Sequence, residues 1–145
     1  HTMCAIERIG RLFEEHWEKP SFNLGLRHYE EILQSEFALL DALVAGCYAG
    51  IPSFPKFAAF SMFYFVAATM YEQKRLSGNC ETAFLGSNEK GLVDALQKGL
   101  QIINDRSLGE EEVEQSIRQL ISPFNSIGLM DRDHSNMYRV AEVGK

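Results

Sequence analysis

Tyr64 and Tyr71 stand seven residues apart in a long uncharged run, a spacing that stacks two phenols on one face of a helix. Their hydroxyls need hydrogen-bond partners if buried, and either a ligand or the core can supply them. Asp131, Asp133 and His134 cluster near the C-terminus and could hold a cation, although turn formation accounts for the acids equally well. Glu110, Glu111 and Glu112 suit the positive end of a helix dipole and need no metal to explain them. His16 and Trp17 fall at a helix end, and His28 falls on the polar side of the next helix. The thiols of Cys4, Cys47 and Cys80 lie far apart with no C-x-x-C spacing. They read as free thiols in a reducing, cytoplasmic setting. There is no dinucleotide or Walker loop, no H-E-x-x-H and no G-x-S-x-G in the chain. No residue is therefore assigned as catalytic, cofactor-binding or metal-ligating.

The elements that position these groups are helical. At 145 residues the chain is one domain long, and 46% apolar and 23% charged content is ordinary for a globular protein. A net charge of −6, with no run of Lys or Arg, argues against a nucleic-acid surface. His1, Thr2 and Met3 look like an expression-vector scar. Residues 4–140 read as a single helical domain, and 141–145 as a frayed tail.

The stretch from Pro55 to Ser77 organises the rest. Phe57, Phe60, Phe63, Tyr64, Phe65 and Tyr71 fall in it, with no charge between Phe57 and Tyr71. Pro55 suits a first helical turn, Ser53 can cap it, and Gly78 is a stop signal. Apolar residues on every face predict a helix buried on all sides. Its uncharged part covers about 22 Å at 1.5 Å per residue, short of the roughly 30 Å of a bilayer core. A buried core helix, and no membrane span, is the expectation.

Cys4–Glu18 places Ile6, Ile9, Leu12, Phe13 and Trp17 on one face of a helix, with Arg8, Arg11, Glu14 and Glu15 on the other. Leu26–Ala49 has an apolar side from Leu26 to Cys47 and a wet side of Glu30, Glu31, Gln34, Glu36 and Asp41. Its small residues Ala45, Gly46, Ala49 and Gly50 allow close approach of another backbone, and the short turn after it predicts an αα-hairpin. Ala83, Phe84 and Leu85 are expected to reach back to the core. Ser87 or Asn88 should cap a helix from Glu89 to about Asn104. Ser107 followed by Glu110 reads as a capping box for the next helix, which Ser122-Pro123 ends. From Phe124 on no period is clear, and an extended strap across the bundle is expected. The fold class is all-α: about five helices around a central buried aromatic helix.

Two stretches together carry a resemblance. Phe57-Ala58-Ala59-Phe60-Ser61-Met62-Phe63-Tyr64-Phe65-Val66-Ala67-Ala68 resembles the buried helix in the C-terminal region of flavin-dependent, tryptophan-halogenase-like oxidoreductases. Pro123-Phe124-Asn125-Ser126-Ile127-Gly128-Leu129-Met130-Asp131, followed by Asn136-Met137-Tyr138, resembles their closing segment. The likeness runs from about Tyr29 to Val140. It implies that the chain is the C-terminal helical domain of a larger flavoprotein, packed on a missing N-terminal flavin-binding domain. FAD would then belong to the full-length parent and not to this fragment, which would have no activity of its own. Phe60, Tyr64 and Tyr71 would help wall the parent's substrate tunnel. Severed from that domain, the chain should expose an apolar patch and self-associate through it. The alternative is a free-standing helical interaction or ligand-binding module with an apolar groove.

Overall fold

A computed structural model describes residues 1–78 and 82–130. Its elements are α1 (Thr2–His16), α2 (Phe22–Gly50), α3 (Phe54–Leu76), α4 (Lys90–Asn104) and α5 (Glu110–Ile121), with 3-10 turns at Phe84–Gly86 and Ser122–Phe124. The described residues contain no strand, so the all-α class holds. Of the expected strap, residues 124–130 form a 3-10 end and turns, with Phe124, Leu129 and Met130 against the core, while the rest, with Asp131, Asp133 and His134, lies outside the described residues, as does Cys80. Thr2 and Met3 form the first turn of α1.

Two antiparallel hairpins make the bundle. The three-residue turn Ile51–Ser53 folds α3 back on α2, so that Gly50 meets Phe57 and Gly46 meets Phe60. The link after Asn104 folds α5 back on α4, where Gly99 meets both Phe63 and Ile117. Each of α2, α3, α5 and α4 packs on the next, and α1 lies along the first half of α2. The core runs through the middle of this ring and includes Leu39, Leu43, Phe60, Phe63, Val66, Leu92, Leu96, Val113, Ile117 and Ile121. A Cβ on Gly46 would lie 2.0 Å from the Phe60 ring, and one on Gly99 would lie 2.6 Å from the Phe63 ring. These glycines weaken their helices by about 1 kcal/mol each relative to alanine. In return each lets an aromatic ring sit against helix backbone.

The ends of α3 follow the signals in the sequence. Ser53 Oγ accepts from Lys56 N–H at 3.4 Å, Pro55 occupies the first turn, and Gly78 closes the helix at φ 87°. Leu85 is buried and holds the 84–86 turn to the core, at the cost of a left-handed backbone with φ 54°.

Four expectations are corrected. α2 begins at Phe22, not Leu26, because Phe22 closes an aromatic cluster with Phe13 and Trp17 at centroid distances of 5.3 and 5.5 Å. α4 has no side-chain cap: Ser87 is buried, and its hydroxyl sits 3.1 Å from Ser35 Oγ. Ser107 does not cap α5, since its N–H and hydroxyl both donate to Asp105 Oδ1 at 2.9 and 2.6 Å. Gly109 stands at the cap position, where its N–H donates to Glu112 Oε2 at 2.8 Å. Finally, α3 is not enclosed on every side. α2, α4, α5 and the 84–86 turn cover the face of Phe60, Phe63 and Ala67, but Tyr64 and Phe65 remain 45% and 47% exposed.

Candidate functional site

The three residues expected to wall a tunnel go to three different places. Phe60 is 0% exposed and belongs to the core of this chain, so its ring offers no surface to anything else. Tyr71 turns inward beneath α1. Tyr64 points outward beside Phe65, the two rings meeting edge to face at 5.6 Å. Tyr64 and Tyr71 lie on one side of α3, but α1 covers only its last turns, so Tyr71 is buried and Tyr64 is exposed.

Outward-facing apolar side chains form two stripes. On α2, Phe37, Val44 and Tyr48, with Ile51 just beyond, recur at the seven-, four- and three-residue steps of one face, and all are exposed. On α3, Phe54, Phe65 and Leu76 recur at eleven-residue steps and are exposed too, with Tyr64 at their flank. Among the described residues α2 is the one helix long and apolar enough to cross a membrane by length and composition, with a mean hydropathy of 1.3. It packs on α1, α3 and α4 as a bundle helix.

A polar seam lies where α1 meets α2 and the end of α3. Cys4 Sγ is 2.8 Å from the Tyr71 hydroxyl, and Arg75 Nη1 donates to that hydroxyl at 3.0 Å. Arg75 Nη2 reaches Glu7 Oε2 at 3.4 Å, and Arg11 also pairs with Glu7. Burial pushes the Tyr71 phenol above its usual range, with Cys4 adding to the rise and Arg75 opposing it. The Arg11 hydrogen bond, with Arg75 assisting, holds the Glu7 carboxyl below the usual range.

Glu36 was expected on the wet side of α2 and is instead 0% exposed. Its Oε1 accepts from Arg8 Nη2 and from the Phe84 N–H, both at 2.8 Å. His1 Nε2 lies 2.9 Å from Oε2, without the alignment of a hydrogen bond. The signal was present in the spacing: Glu36 precedes Leu39, Leu43, Gly46 and Gly50 at steps of three and four, so it shares their buried face.

Between α1, the start of α2, the end of α3 and the 82–88 segment lies a cavity of about 480 Å³. Arg8, Tyr71 and Thr82 are among its lining residues, and Leu12, Tyr29 and Ile32 give it apolar surface. Cys4 and Cys47 are free thiols, and burial raises the Cys47 thiol. No group of His, Cys, Asp and Glu among the described residues could hold a metal ion. His28 is solvated, and His16 Nδ1 sits 2.9 Å from Ser21 Oγ at the α1–α2 corner. No family model matches this chain, and neither a curated protein nor a solved structure matches it.

Proposed function

We propose that this chain is a helical packing domain that covers another protein domain with the outward stripes of α2 and α3. The supporting observation is the exposure of Phe37, Val44, Tyr48, Ile51, Phe54, Tyr64 and Phe65 on two adjacent helices whose other faces are already occupied by the core. Large apolar side chains in regular helical register on a surface mark a contact with another molecule. The partner proposed is the FAD-binding domain of a halogenase-like oxidoreductase, in a reducing cytoplasm. That identity rests on the sequence resemblance of the α3 and 123–138 stretches. In such an assembly the flavin and the chemistry belong to the partner. Tyr64, with Phe65 beside it, is then the α3 element able to face a substrate tunnel, while Phe60 and Tyr71 act behind it as packing.

The purified chain should carry no flavin absorbance and should self-associate as its concentration rises, read by light scattering after gel filtration. Phe65→Glu combined with Val44→Glu should return it to a monomer and abolish co-purification with a halogenase-like FAD domain. Stoichiometric FAD on the chain alone rejects the partner assignment. A wild-type chain that stays monomeric and never co-purifies with such a domain rejects the packing surface.

A further inference from the structure

We propose that the outward stripe of α2 pairs with the same stripe of a second copy of this chain, the two helices running antiparallel across the turn from Asp41 to Val44. The pairing rests on the reading of the stripes as contact surfaces and names what covers the α2 stripe before the partner domain does. Phe37, Asp41, Val44, Tyr48 and Ile51 follow one another at steps of four, three, four and three, and all are exposed. Ile51 still continues the helix, with φ −48° and ψ −39°. Such alternating steps make the narrow seam along which one helix packs on another. Ala38 and Ala45, exposed beside the seam, let a second backbone come close.

Asp41 decides the occupant and its direction. It is the single exposed charge between Gln34 and Lys56, and it stands in the middle of the apolar seam. Neither its carboxylate nor the Tyr48 hydroxyl makes a hydrogen bond or ion pair with a described residue. A wholly apolar partner would strip water from that carboxylate and return nothing. A parallel copy would set it against its own duplicate, like charge on like. An antiparallel copy brings it within one turn of the other copy's Tyr48, whose hydroxyl can donate to it, and two-fold symmetry makes the same bond twice. Phe37, Val44, Tyr48 and Ile51 together offer roughly 450 Å² per copy, counting about 200 Å² for a whole aromatic side chain. A standard interface takes about 800 Å² per partner, so the dimer should be reversible and half-formed at roughly 10–100 μM.

The test is sedimentation equilibrium of the purified chain from micromolar to millimolar concentration, with three single variants at exposed positions. Wild type should fit a monomer–dimer equilibrium that stops at two copies. Val44→Glu should stay monomeric throughout, because its new carboxylates meet close to the two-fold axis. Tyr48→Phe keeps the ring and removes the donor, so it should dimerise about tenfold more weakly. Association by apolar contact alone would leave that variant as tight as wild type or tighter. Phe65→Glu, on α3, should dimerise as wild type does. The proposal is overturned if wild type stays monomeric at millimolar concentration or grows beyond two copies. It is also overturned if Tyr48→Phe dimerises as tightly as wild type, or if Phe65→Glu breaks the dimer as thoroughly as Val44→Glu. Co-purification with a halogenase-like FAD domain reads the packing surface separately, so a monomer that still captures that domain overturns the dimer and leaves the packing surface standing.

Discussion

The two halves of α2 are joined to the molecule in different ways. Toward its C-terminus α2 meets α3 through glycine and aromatic surfaces, with Gly46 flat against Phe60 and Gly50 against the backbone of Phe57. Nothing polar is needed there, and shape alone sets the distance between the helices. Toward its N-terminus α2 meets α1, a helix with no buried residue of its own. That seam is held by Arg8 on Glu36, by Leu12 against Gly25, and by Tyr29 reaching the Ala5 carbonyl at 3.4 Å. Apolar contact is dense and carries no group that titrates. A charged seam is directional, responds to pH and salt, and leaves room for a cavity.

The largest effects should come from breaking the apolar half. Phe60→Ala removes a fully enclosed ring and should cost about 4 kcal/mol in chemical denaturation. Gly46→Ala should also destabilise, by about 2 kcal/mol, because overpacking against Phe60 outweighs the helix propensity gained. The double variant should cost less than the sum of the two, since the smaller side chain at position 60 makes room for the new methyl. Strict additivity would mean that Gly46 and Phe60 are not interlocked.

Next in size is Glu36. Glu36→Ala strands the Arg8 guanidinium and the Phe84 N–H together, for about 3 kcal/mol. The damage should be local, so hydrogen exchange should speed up across α1 and the 84–86 turn while α3 keeps its protection. Equal loss of protection in α3 would show that the seam and the core unfold as one unit.

Most of the apolar half was legible in the sequence. The helix periods, the Ser53 cap, Pro55, the Gly78 stop and the hairpin turn at Ile51–Ser53 are local signals, and local chemistry decides them. The seam was not legible, because its partners are far apart in the chain: Cys4 meets Tyr71, Arg8 meets Glu36, and Glu36 meets Phe84. A glutamate in a helix is read as a wet residue unless its register with Leu39 and Leu43 is weighed against its charge. The same limit applied to α3. Apolar content on every face indicated burial, but the bundle supplies neighbours for only part of that surface, and Tyr64 and Phe65 stay outside.

Tyr71 sharpens the comparison further. Tyr71→Phe deletes the hydroxyl shared by Cys4 and Arg75 and should cost about 1 kcal/mol at neutral pH. Because the folded phenol titrates above its unfolded value of about 10, its contribution is full below that pH and is lost as pH rises through the folded value. Wild type should therefore lose stability on the alkaline side more steeply than Tyr71→Phe, as read by denaturation midpoints across that range. Parallel curves would remove Tyr71 from the seam's pH response.

The smallest effect should come from Glu7, the most exposed link in the seam. Arg11 and Arg75 keep its carboxyl ionised to lower pH than in the unfolded chain. Its stabilising effect is therefore present above the unfolded value of about 4.3 and is lost as pH falls through the folded value. Glu7→Gln should flatten that acid limb, with a cost that is present at neutral pH, small because water and salt screen an exposed pair, and gone at low pH. Added salt should shrink the difference between wild type and variant, while leaving the cost of Phe60→Ala untouched. That contrast separates the two halves of α2 most cleanly. A charged seam yields to ions and an apolar one does not, so a Glu7→Gln effect that persists in high salt would mean that α1 is held by packing after all.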